Sequence, residues 1–248
     1  MKAMILAAGL GTRLRPLTND RPKALVEING RTMLEITLSR LRKFGVCEVI
    51  INVHYFADMI LDYLKANYNF GMRIEVSRED VLLDTGGGLK KAAHFFLRDS
   101  DRPEEPFLVH NVDVLSTIDL GRMLEFHAEN QPLATLAVQD RKTSRYLLFD
   151  EQRQLCGRQA FDHQPELVRG CQQVLALAFS GIHVISPHLL TMMIEDGAFS
   201  AITSYLRLAA QGEKILAFRA DEYYWRDLGK PENIEQAADD LNRKLITQ

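Results

Sequence analysis

The sequence has only three cysteines, Cys47, Cys156 and Cys171, and it has no CxxC pair. This excludes a fold held together by disulfides and a cysteine-based zinc site, and it is typical of a protein of the reducing cytoplasm. We expect the three thiols to be buried as small hydrophobic residues. An excess of charge of one sign is also absent, because 30 basic residues oppose 33 acidic ones. The chain therefore has no strong overall field for a polyanion, and we expect no nucleic-acid partner.

Long hydrophobic runs and internal repeats are absent too. No segment approaches the ~20 apolar residues that a membrane helix needs, so we expect no membrane association. The apolar start of the chain leads into Gly9 rather than into a cleavage site, which favours a buried strand over a signal peptide. Because no linker or break in composition interrupts the chain, we predict that residues 1–248 form a single domain.

Strand-like apolar runs alternate with helical periodicity along the chain. This alternation predicts an α/β, Rossmann-like fold with a mostly parallel sheet and helices on both faces. We predict strands at residues 4–7, 48–53, 72–76, 107–110, 133–138, 175–185 and 215–218. We predict helices at residues 33–44, 57–64, 89–97, 120–127 behind an Asp119 cap, 187–194, 201–210 and 231–245. Residues 141–173 are polar and weakly periodic, which fits either edge strands with loops or a lid over the site.

Ligands of open α/β sheets bind at the carboxyl ends of the strands, here after Ala7, Val76, His110 and Ile182. The first of these loops reads AAGLGTRLRPLT from residue 7 to residue 18. Its two glycines allow backbone N–H groups to converge on an anion, with Arg13 and Lys23 as nearby cations. This suits a polyphosphate, although it is neither a dinucleotide fingerprint nor a Walker loop. The alternative is a glycine turn with two solvated cations.

Two further segments suggest chemistry. The three glycines of DTGGG, residues 84–88, would let a flat ring lie against the backbone before a helix whose first N–H groups are free, or they are simply a flexible helix entry. Asp113 stands at the end of a buried strand, where a magnesium ligand is expected, and Asp227 is the candidate second carboxylate. Otherwise Asp113 is a turn or cap residue and Asp227 pairs with Arg226.

The string LAAGLGTRLRPLT with Pro22-Lys23 resembles the signature of the sugar-1-phosphate nucleotidyltransferases. Later segments, HNVD at 110–113, FSGI at 179–182 and WRDLG at 225–229, are similar to that family's motifs, with Val112 where the family has Gly. The resemblance implies a GT-A-like nucleotidyltransferase fold, here without a C-terminal β-helix, and a reaction of a nucleoside triphosphate with a sugar 1-phosphate that yields a nucleotide sugar and pyrophosphate. It implies Mg²⁺ held by Asp113 and Asp227, and catalytic roles for Arg13 and Lys23.

The resemblance also implies which residues bind the substrates. The nucleotide would contact Ala8, Gly9, Gly11, Thr12, Arg13, Lys23, Asp84, Gly86 and Gly87. The sugar phosphate would contact Asn111, Ser180 and Gly181. The family's lid tripeptide Glu-Lys-Pro is absent, and we take Arg145 as the replacement for its lysine. Arg141 and Lys142 are the further candidates for this role. We expect His54 and His110 to be packing or capping residues.

The resemblance narrows the substrates further. DTGGG is most similar to the branch that joins UTP to N-acetylmuramate 1-phosphate, and this is the expected reaction. A GTP-dependent mannose-1-phosphate guanylyltransferase is the alternative within the family. Outside it, we consider a glycosyltransferase of similar design, which the pyrophosphate-binding loop disfavours, and a non-catalytic regulatory paralogue that binds nucleotide sugars.

Overall fold

The computed structural model describes residues 1–98, 104–160 and 162–243. Its strands are β1 (Lys2–Leu6), β2 (Glu27–Ile28), β3 (Arg31–Thr32), β4 (Glu48–Val53), β5 (Arg73–Arg78), β6 (Phe107–Asn111), β7 (Val114–Ser116), β8 (Ala134–Gln139), β9 (Arg145–Phe149), β10 (Leu155–Ala160), β11 (Glu166–Leu167), β12 (Leu175–Ile185), β13 (Ile215–Arg219) and β14 (Trp225–Asp227). Its helices are α1 (Met33–Lys43), α2 (Ala57–Ala66), α3 (Asp84–Lys91), α4 (Ala93–Leu97), α5 (Leu120–Asn130), α6 (His188–Thr191), α7 (Ala201–Ala210) and α8 (Pro231–Asn242).

The central strands form a parallel sheet in the order β5-β4-β1-β6. Strand β12 continues it antiparallel to β6, and β8 pairs antiparallel with β12 and parallel with β13. The sheet is therefore mixed, and the prediction of a mostly parallel sheet is confirmed for its centre. The residues before Ile182, rather than those after it, reach the carboxyl end of β6, because β12 runs the opposite way. The prediction that ligands bind in the loop after Ile182 is therefore wrong.

Helices cover both faces of the sheet, as predicted. Along β1, Ala3 and Ile5 pack into a core with α1, α2, α5 and α8, whereas Met4 and Leu6 pack into a second core with α3, α4, α6 and α7. Successive side chains of a strand point to opposite faces, so a strand buried on both sides must be apolar throughout. This explains the uninterrupted apolar runs of the sequence.

Capping residues set several helix boundaries. The Thr32 hydroxyl accepts the Glu35 N–H at 3.1 Å at the start of α1, and Gly45, at φ +79°, follows its end. The Asp119 carboxylate accepts the Arg122 N–H at 3.1 Å, which confirms the predicted cap of α5. Pro231 is the first residue of α8, where a missing N–H costs nothing.

Other boundaries differ from the prediction. Helix α6 covers only His188–Thr191 of the predicted 187–194, and α5 extends to Asn130. The predicted end of the last helix at residue 245 lies outside the described residues. Among the residues that the structure describes, no helix is both long enough and apolar enough to cross a bilayer.

The polar stretch 141–173 contains three strands at the edge of the sheet. Strand β9 pairs antiparallel with the first residues of β12, β10 pairs with β9, and β11 pairs with β10. Residue 161, within this stretch, is not described. The hairpin of β9 and β10 therefore extends the sheet beside the part of β12 that precedes Ser180.

Candidate active site

A cleft of about 330 Å³ opens at the carboxyl ends of β1 and β6. The loop after β1, the start of α3 and the end of β6 contribute predicted site residues to its lining, namely Ala8, Gly9, Asp84, Asn111 and Asp113. The structure thus brings together residues that are separated by more than 70 positions in the sequence. The topology does this because the carboxyl ends of neighbouring parallel strands meet at one edge.

The loop after β1 is held by one turn around Gly11. Gly11 has φ +65°, and its carbonyl accepts the Thr18 hydroxyl at 2.8 Å. A Cβ at position 11 would lie 2.9 Å from the Thr18 Cγ2 atom and 3.2 Å from the Lys23 Cβ atom, so only glycine fits. The 3₁₀ turn Thr12–Leu14 buries Leu14 in the core and leaves Thr12 and Arg13 exposed. Leu14, which stands where a dinucleotide fingerprint has its third glycine, is therefore an anchor of the loop.

Lys23 and Asp113 form an ion pair between the Lys23 Nζ and Asp113 Oδ2 atoms. Their side chains are 10% and 21% exposed, so the pair is largely removed from water. The Asp113 carbonyl also accepts the Leu228 N–H at 2.8 Å, which joins the end of β6 to the segment after β14. Sequence reasoning assigned the two side chains to phosphate and metal separately and did not foresee that they touch.

Asp227 lies opposite Val114 in the β7–β14 pair, beside the end of β6. Its Oδ1 atom accepts the Gly229 N–H at 2.6 Å. Arg226 forms its ion pair with Asp240 at 2.8 Å, so the alternative in which Arg226 pairs with Asp227 is wrong. The Asp227 carboxylate is thus held by the backbone N–H of Gly229 and is not paired with the neighbouring Arg226.

The Arg13 side chain extends from the β1 loop to Gly229, the residue that also contacts Asp227. A Cβ at Gly229 would lie 2.8 Å from the Arg13 Nη2 atom and 2.7 Å from the Asp227 Oδ1 atom. The Arg13 guanidinium and the Asp227 carboxylate therefore both pack against Gly229, and a larger side chain there would have to displace them. The β1 loop and the 227–229 segment bring one cation and one carboxylate into a single corner of the site.

A buried polar network behind the β1 loop was missed by sequence reasoning. The Asn52 Oδ1 atom accepts the Ala7 N–H at 2.8 Å, and the Asn52 Nδ2 donates to the Glu79 Oε1 at 2.8 Å. The Glu79 Oε2 accepts the Leu83 N–H at 3.0 Å. Asn52 and Glu79 are only 2% and 4% exposed. An asparagine inside the otherwise apolar run EVIINV is the signal that could have revealed it.

The structure corrects the interpretation of the DTGGG segment. Helix α3 begins at Asp84, five residues earlier than predicted, so the glycines lie inside the helix. Side chains at Gly86 and Gly87 would clash with the Phe199 ring and with the Gly197 carbonyl at 2.4 Å. The N–H groups of both glycines donate to the Phe199 carbonyl. These glycines permit close packing of α3 against residues 197–199, and neither room for a base nor free N–H groups explains them.

Among the residues predicted to contact the sugar phosphate, Gly181 lies next to Asn111 in the structure. Gly181 has φ +72°, and a Cβ there would lie 2.8 Å from the Asn111 Nδ2 atom. The Ser180 carbonyl accepts the Trp225 Nε1–H at 2.8 Å. In the described part of the chain, the buried Asn111 Oδ1 and Ser180 Oγ atoms have no hydrogen-bond partner. Buried polar atoms without partners are rare and are expected at ligand sites.

The two candidate arginines of the lid differ in position. The Arg141 guanidinium lies 3.5 Å from the centre of the Trp225 ring and donates to the Phe179 carbonyl at 2.8 Å. Burial lowers the pKa of Arg141, and the nearby Asp227 carboxylate opposes this shift. Arg145 instead lines a different cavity, beside β9 and β10. The structure therefore brings Arg141, and not Arg145, to Asp227.

The expected surroundings of the histidines and cysteines are found in the structure only in part. His110 is completely buried, its Nδ1 bonds the Asn111 carbonyl at 2.8 Å, and burial lowers its pKa to about 4. The His54 Nδ1 bonds the Glu79 carbonyl at 2.7 Å. Cys156 is buried as expected, whereas Cys171 is half-buried and Cys47 is exposed, so the expectation of burial is wrong for Cys47.

The described residues contain no group of three or more His, Cys, Asp or Glu side chains that could hold a metal ion. Mg²⁺ needs no such cluster, since it binds through one or two carboxylates together with water and substrate phosphates. Asp113, in the turn between β6 and β7, and Asp227, in β14 opposite Val114 of β7, fit that donor set.

Comparisons with known proteins agree with this geometry. A family model described as nucleotidyl transferase matches residues 2–244. An N-acetylmuramate alpha-1-phosphate uridylyltransferase from Caulobacter vibrioides is 35% identical over 237 residues, which cover 93% of this chain and 92% of that protein. Mannose-1-phosphate guanylyltransferase 1 from Arabidopsis thaliana is 32% identical over 242 residues, which cover 93% of this chain and 62% of that protein.

Among solved structures, a putative glucose-1-phosphate thymidylyltransferase from Bacillus anthracis in complex with a sucrose superimposes with a TM-score of 0.80. The alignment covers 100% of this chain and 97% of that one at 17% identity, which establishes a shared fold. With a family match over nearly its whole length, the chain belongs to the nucleotidyl transferase family and is a nucleotidyltransferase.

Proposed function

We propose that the protein transfers UMP from UTP to N-acetylmuramate 1-phosphate and releases pyrophosphate. The observation that carries the proposal is the corner around Gly229, where Arg13 and Asp227 meet beside the Lys23–Asp113 pair. Two cations and two carboxylates at the carboxyl edge of a parallel sheet suit a reaction between two phosphate groups. The relative from Caulobacter vibrioides adds the specific substrates.

In the proposed reaction, an oxygen of the sugar phosphate attacks the α-phosphorus of UTP, and the bond to the bridging oxygen of pyrophosphate breaks. A phosphate monoester has a second pKa near ~6, so this nucleophile is already ionised at neutral pH and needs no general base. Catalysis then consists of alignment and charge neutralisation. This accounts for a site without a Ser-His-Asp or Cys-His arrangement.

Arg13 and Lys23 supply the positive charge in this mechanism. Arg13, exposed on the turn after Gly11, would hold the β- and γ-phosphates and stabilise the leaving pyrophosphate. Lys23 would lie at the α-phosphate, next to Asp113. Ala8, Gly9, Gly11 and Thr12 would surround the triphosphate, with Asp84, which lines the cleft, toward the nucleoside. Gly86 and Gly87, which pack against residues 197–199, are not assigned a contact with the base.

Enzymes of this family generally use a divalent metal ion, and we propose that Asp113 and Asp227 hold Mg²⁺. When bound, the ion would neutralise phosphate charge and orient the two phosphate groups. The Asp227 carboxylate is already fixed by the Gly229 N–H, so its orientation does not depend on a ligand.

We assign the sugar phosphate to Asn111, Ser180 and Gly181, and we move the lid cation from Arg145 to Arg141. Arg141 is held by the Trp225 ring and the Phe179 carbonyl, and it lies close to Asp227. A guanidinium fixed in this way can donate to a phosphate without further ordering, which reduces the entropic cost of binding.

The use of GTP with mannose 1-phosphate is the second candidate, favoured by the 32% identity to the guanylyltransferase from Arabidopsis thaliana. The chain spans 62% of the length of that relative. The loop with Arg13, which suits a leaving pyrophosphate, disfavours a glycosyltransferase, and the presence of Arg13, Lys23, Asp113 and Asp227 around one cleft disfavours a non-catalytic paralogue. N-acetylmuramate is a sugar of the bacterial cell wall, so the proposed reaction belongs to nucleotide-sugar metabolism of cell-wall material, and we propose a cytoplasmic location.

A screen of pyrophosphate release tests this proposal. UTP, GTP, CTP, ATP and dTTP are each combined with N-acetylmuramate 1-phosphate, N-acetylglucosamine 1-phosphate and mannose 1-phosphate. We expect UTP with N-acetylmuramate 1-phosphate to give the highest kcat/KM, at least about tenfold above GTP with mannose 1-phosphate, or ~1.4 kcal/mol in transition-state binding. The reverse order would select the guanylyltransferase reaction, and no release from any pair would support a binding paralogue.

A further inference from the structure

A second cavity, of about 650 Å³, lies between the β9–β10 hairpin and the start of α7. It is separate from the cleft at β1 and β6, and the segment that leads into α7 stands between them. Ala198 lines the first cleft, whereas Ser200 and Ile202 line the second cavity. Of its lining residues, the proposed mechanism uses only Phe179, whose carbonyl holds Arg141.

The second cavity is close to the proposed sugar-phosphate site. Its lining includes Phe179, which precedes Ser180 in β12, and Thr143, which is two residues from Arg141. The Phe179 carbonyl accepts the Arg141 guanidinium at 2.8 Å. A sugar whose phosphate lies at Arg141 would therefore have its ring or a ring substituent next to this cavity.

The charged side chains of the cavity leave one cation uncompensated. Arg158 and Glu166 both line it, and they form an ion pair with each other at 2.6 Å. Arg145 lines it as well and is an exposed residue, and its guanidinium has no hydrogen-bond or ion-pair partner among the described residues. A free guanidinium beside an already neutral pair is suited to a carboxylate, which it can bind with two parallel hydrogen bonds.

We propose that this cavity is a subsite for a carboxylate-bearing substituent of the acceptor sugar, with Arg145 as the residue that selects it. The inference rests on the proposed function, because N-acetylmuramate differs from N-acetylglucosamine by a lactyl ether that ends in a carboxylate. Arg145, first considered as a ligand of the sugar phosphate, would then determine acceptor specificity.

The test compares two acceptors that differ only in the lactyl group. The binding of N-acetylmuramate 1-phosphate and of N-acetylglucosamine 1-phosphate is measured by calorimetry, at saturating concentration of a UTP analogue with a methylene α,β-bridge, and kcat/KM is measured with UTP. The variants are Arg145→Gln, Arg145→Lys and, as a matched control, Lys142→Gln. Lys142 is an exposed cation three residues before Arg145, in the loop that leads into β9, and is not part of the cavity lining.

We expect the wild type to prefer the lactyl-bearing acceptor in both measurements. Arg145→Gln should reduce that preference by about 10- to 100-fold, the loss expected for a hydrogen-bonded charge, through KM more than through kcat. N-acetylglucosamine 1-phosphate should bind all four proteins equally well. Arg145→Lys should restore part of the preference, and Lys142→Gln should leave it unchanged.

Three results would overturn the subsite. The first is a preference unaffected by Arg145→Gln, and the second is an equal loss in Lys142→Gln, which would indicate only the general charge around β9. The third is turnover without any preference, which removes the subsite and leaves the proposed nucleotidyl transfer in place. An Arg145-dependent preference in binding, without turnover, supports the subsite and removes the proposed function.

Discussion

Replacing Asn52 by leucine tests the buried network that supports the β1 loop. Leucine has a similar size but neither donates nor accepts hydrogen bonds, so the Ala7 N–H and the Glu79 Oε1 atom would each lose a bond of 2.8 Å. An unsatisfied buried polar group costs about 1–3 kcal/mol, and more when it is charged. The two losses together predict a decrease of roughly 3–5 kcal/mol in the free energy of unfolding.

Such a loss is a large share of the ~5–15 kcal/mol typical of a folded domain, and urea unfolding followed by circular dichroism would detect it. The matched control is Asn67→Leu, which removes one exposed hydrogen bond to the Tyr63 carbonyl and should cost less than about 1 kcal/mol. Gly88→Ala perturbs the same network from a different residue, because a Cβ there would lie 2.7 Å from the Asn52 Nδ2 atom. If Asn52→Leu is no less stable than the control, the network does not support the fold.

The other predictions concern the reaction. Asp113→Asn and Asp227→Asn should each lower kcat by more than about 100-fold, and full activity at limiting Mg²⁺ in either would exclude that residue. Asp227→Asn should leave thermal unfolding nearly unchanged, whereas Asp113→Asn also removes the ion pair of Lys23 and should lower the unfolding temperature. Arg13→Ala should cost about 3 kcal/mol or more in kcat/KM, as for the removal of one preorganised donor, and a change below about tenfold would mark Arg13 as a solvated surface residue. Arg141→Gln should raise KM for the sugar phosphate by about tenfold or more without changing KM for UTP; equal effects on both would refute its assignment.

The sequence predicted the central architecture because local and global signals agree there. The run EVIINV is bounded as predicted, and so are the long strand β12 and helix α7. Apolar runs and caps act over a few residues, so they can be interpreted without the fold. The assignment of residues 1–248 to one domain remains a prediction.

Errors arose where distant segments determine the local structure. The DTGGG glycines look like a flexible entry, but their role depends on Phe199 and Gly197, which lie more than 100 residues away in the sequence. Likewise, the sequence alone does not show whether Arg141 or Arg145 lies near Asp227, because this depends on the path of β9 and β12. The contact between Lys23 and Asp113 and the meeting of Arg13 with Asp227 are also products of topology, which no local pattern contains.

In the proposed reaction, nucleotidyl transfer takes place at the corner formed by Arg13, Lys23, Asp113 and Asp227. This is tested with UTP that carries ³²P at either the α- or the γ-position and with N-acetylmuramate 1-phosphate as acceptor. We predict that the α-label appears in the nucleotide sugar and the γ-label in pyrophosphate, and that Asp227→Asn slows both transfers by more than about 100-fold. An α-label that stays in UTP or appears only in UMP, or transfer at the wild-type rate in Asp227→Asn, would contradict the proposed reaction at this site.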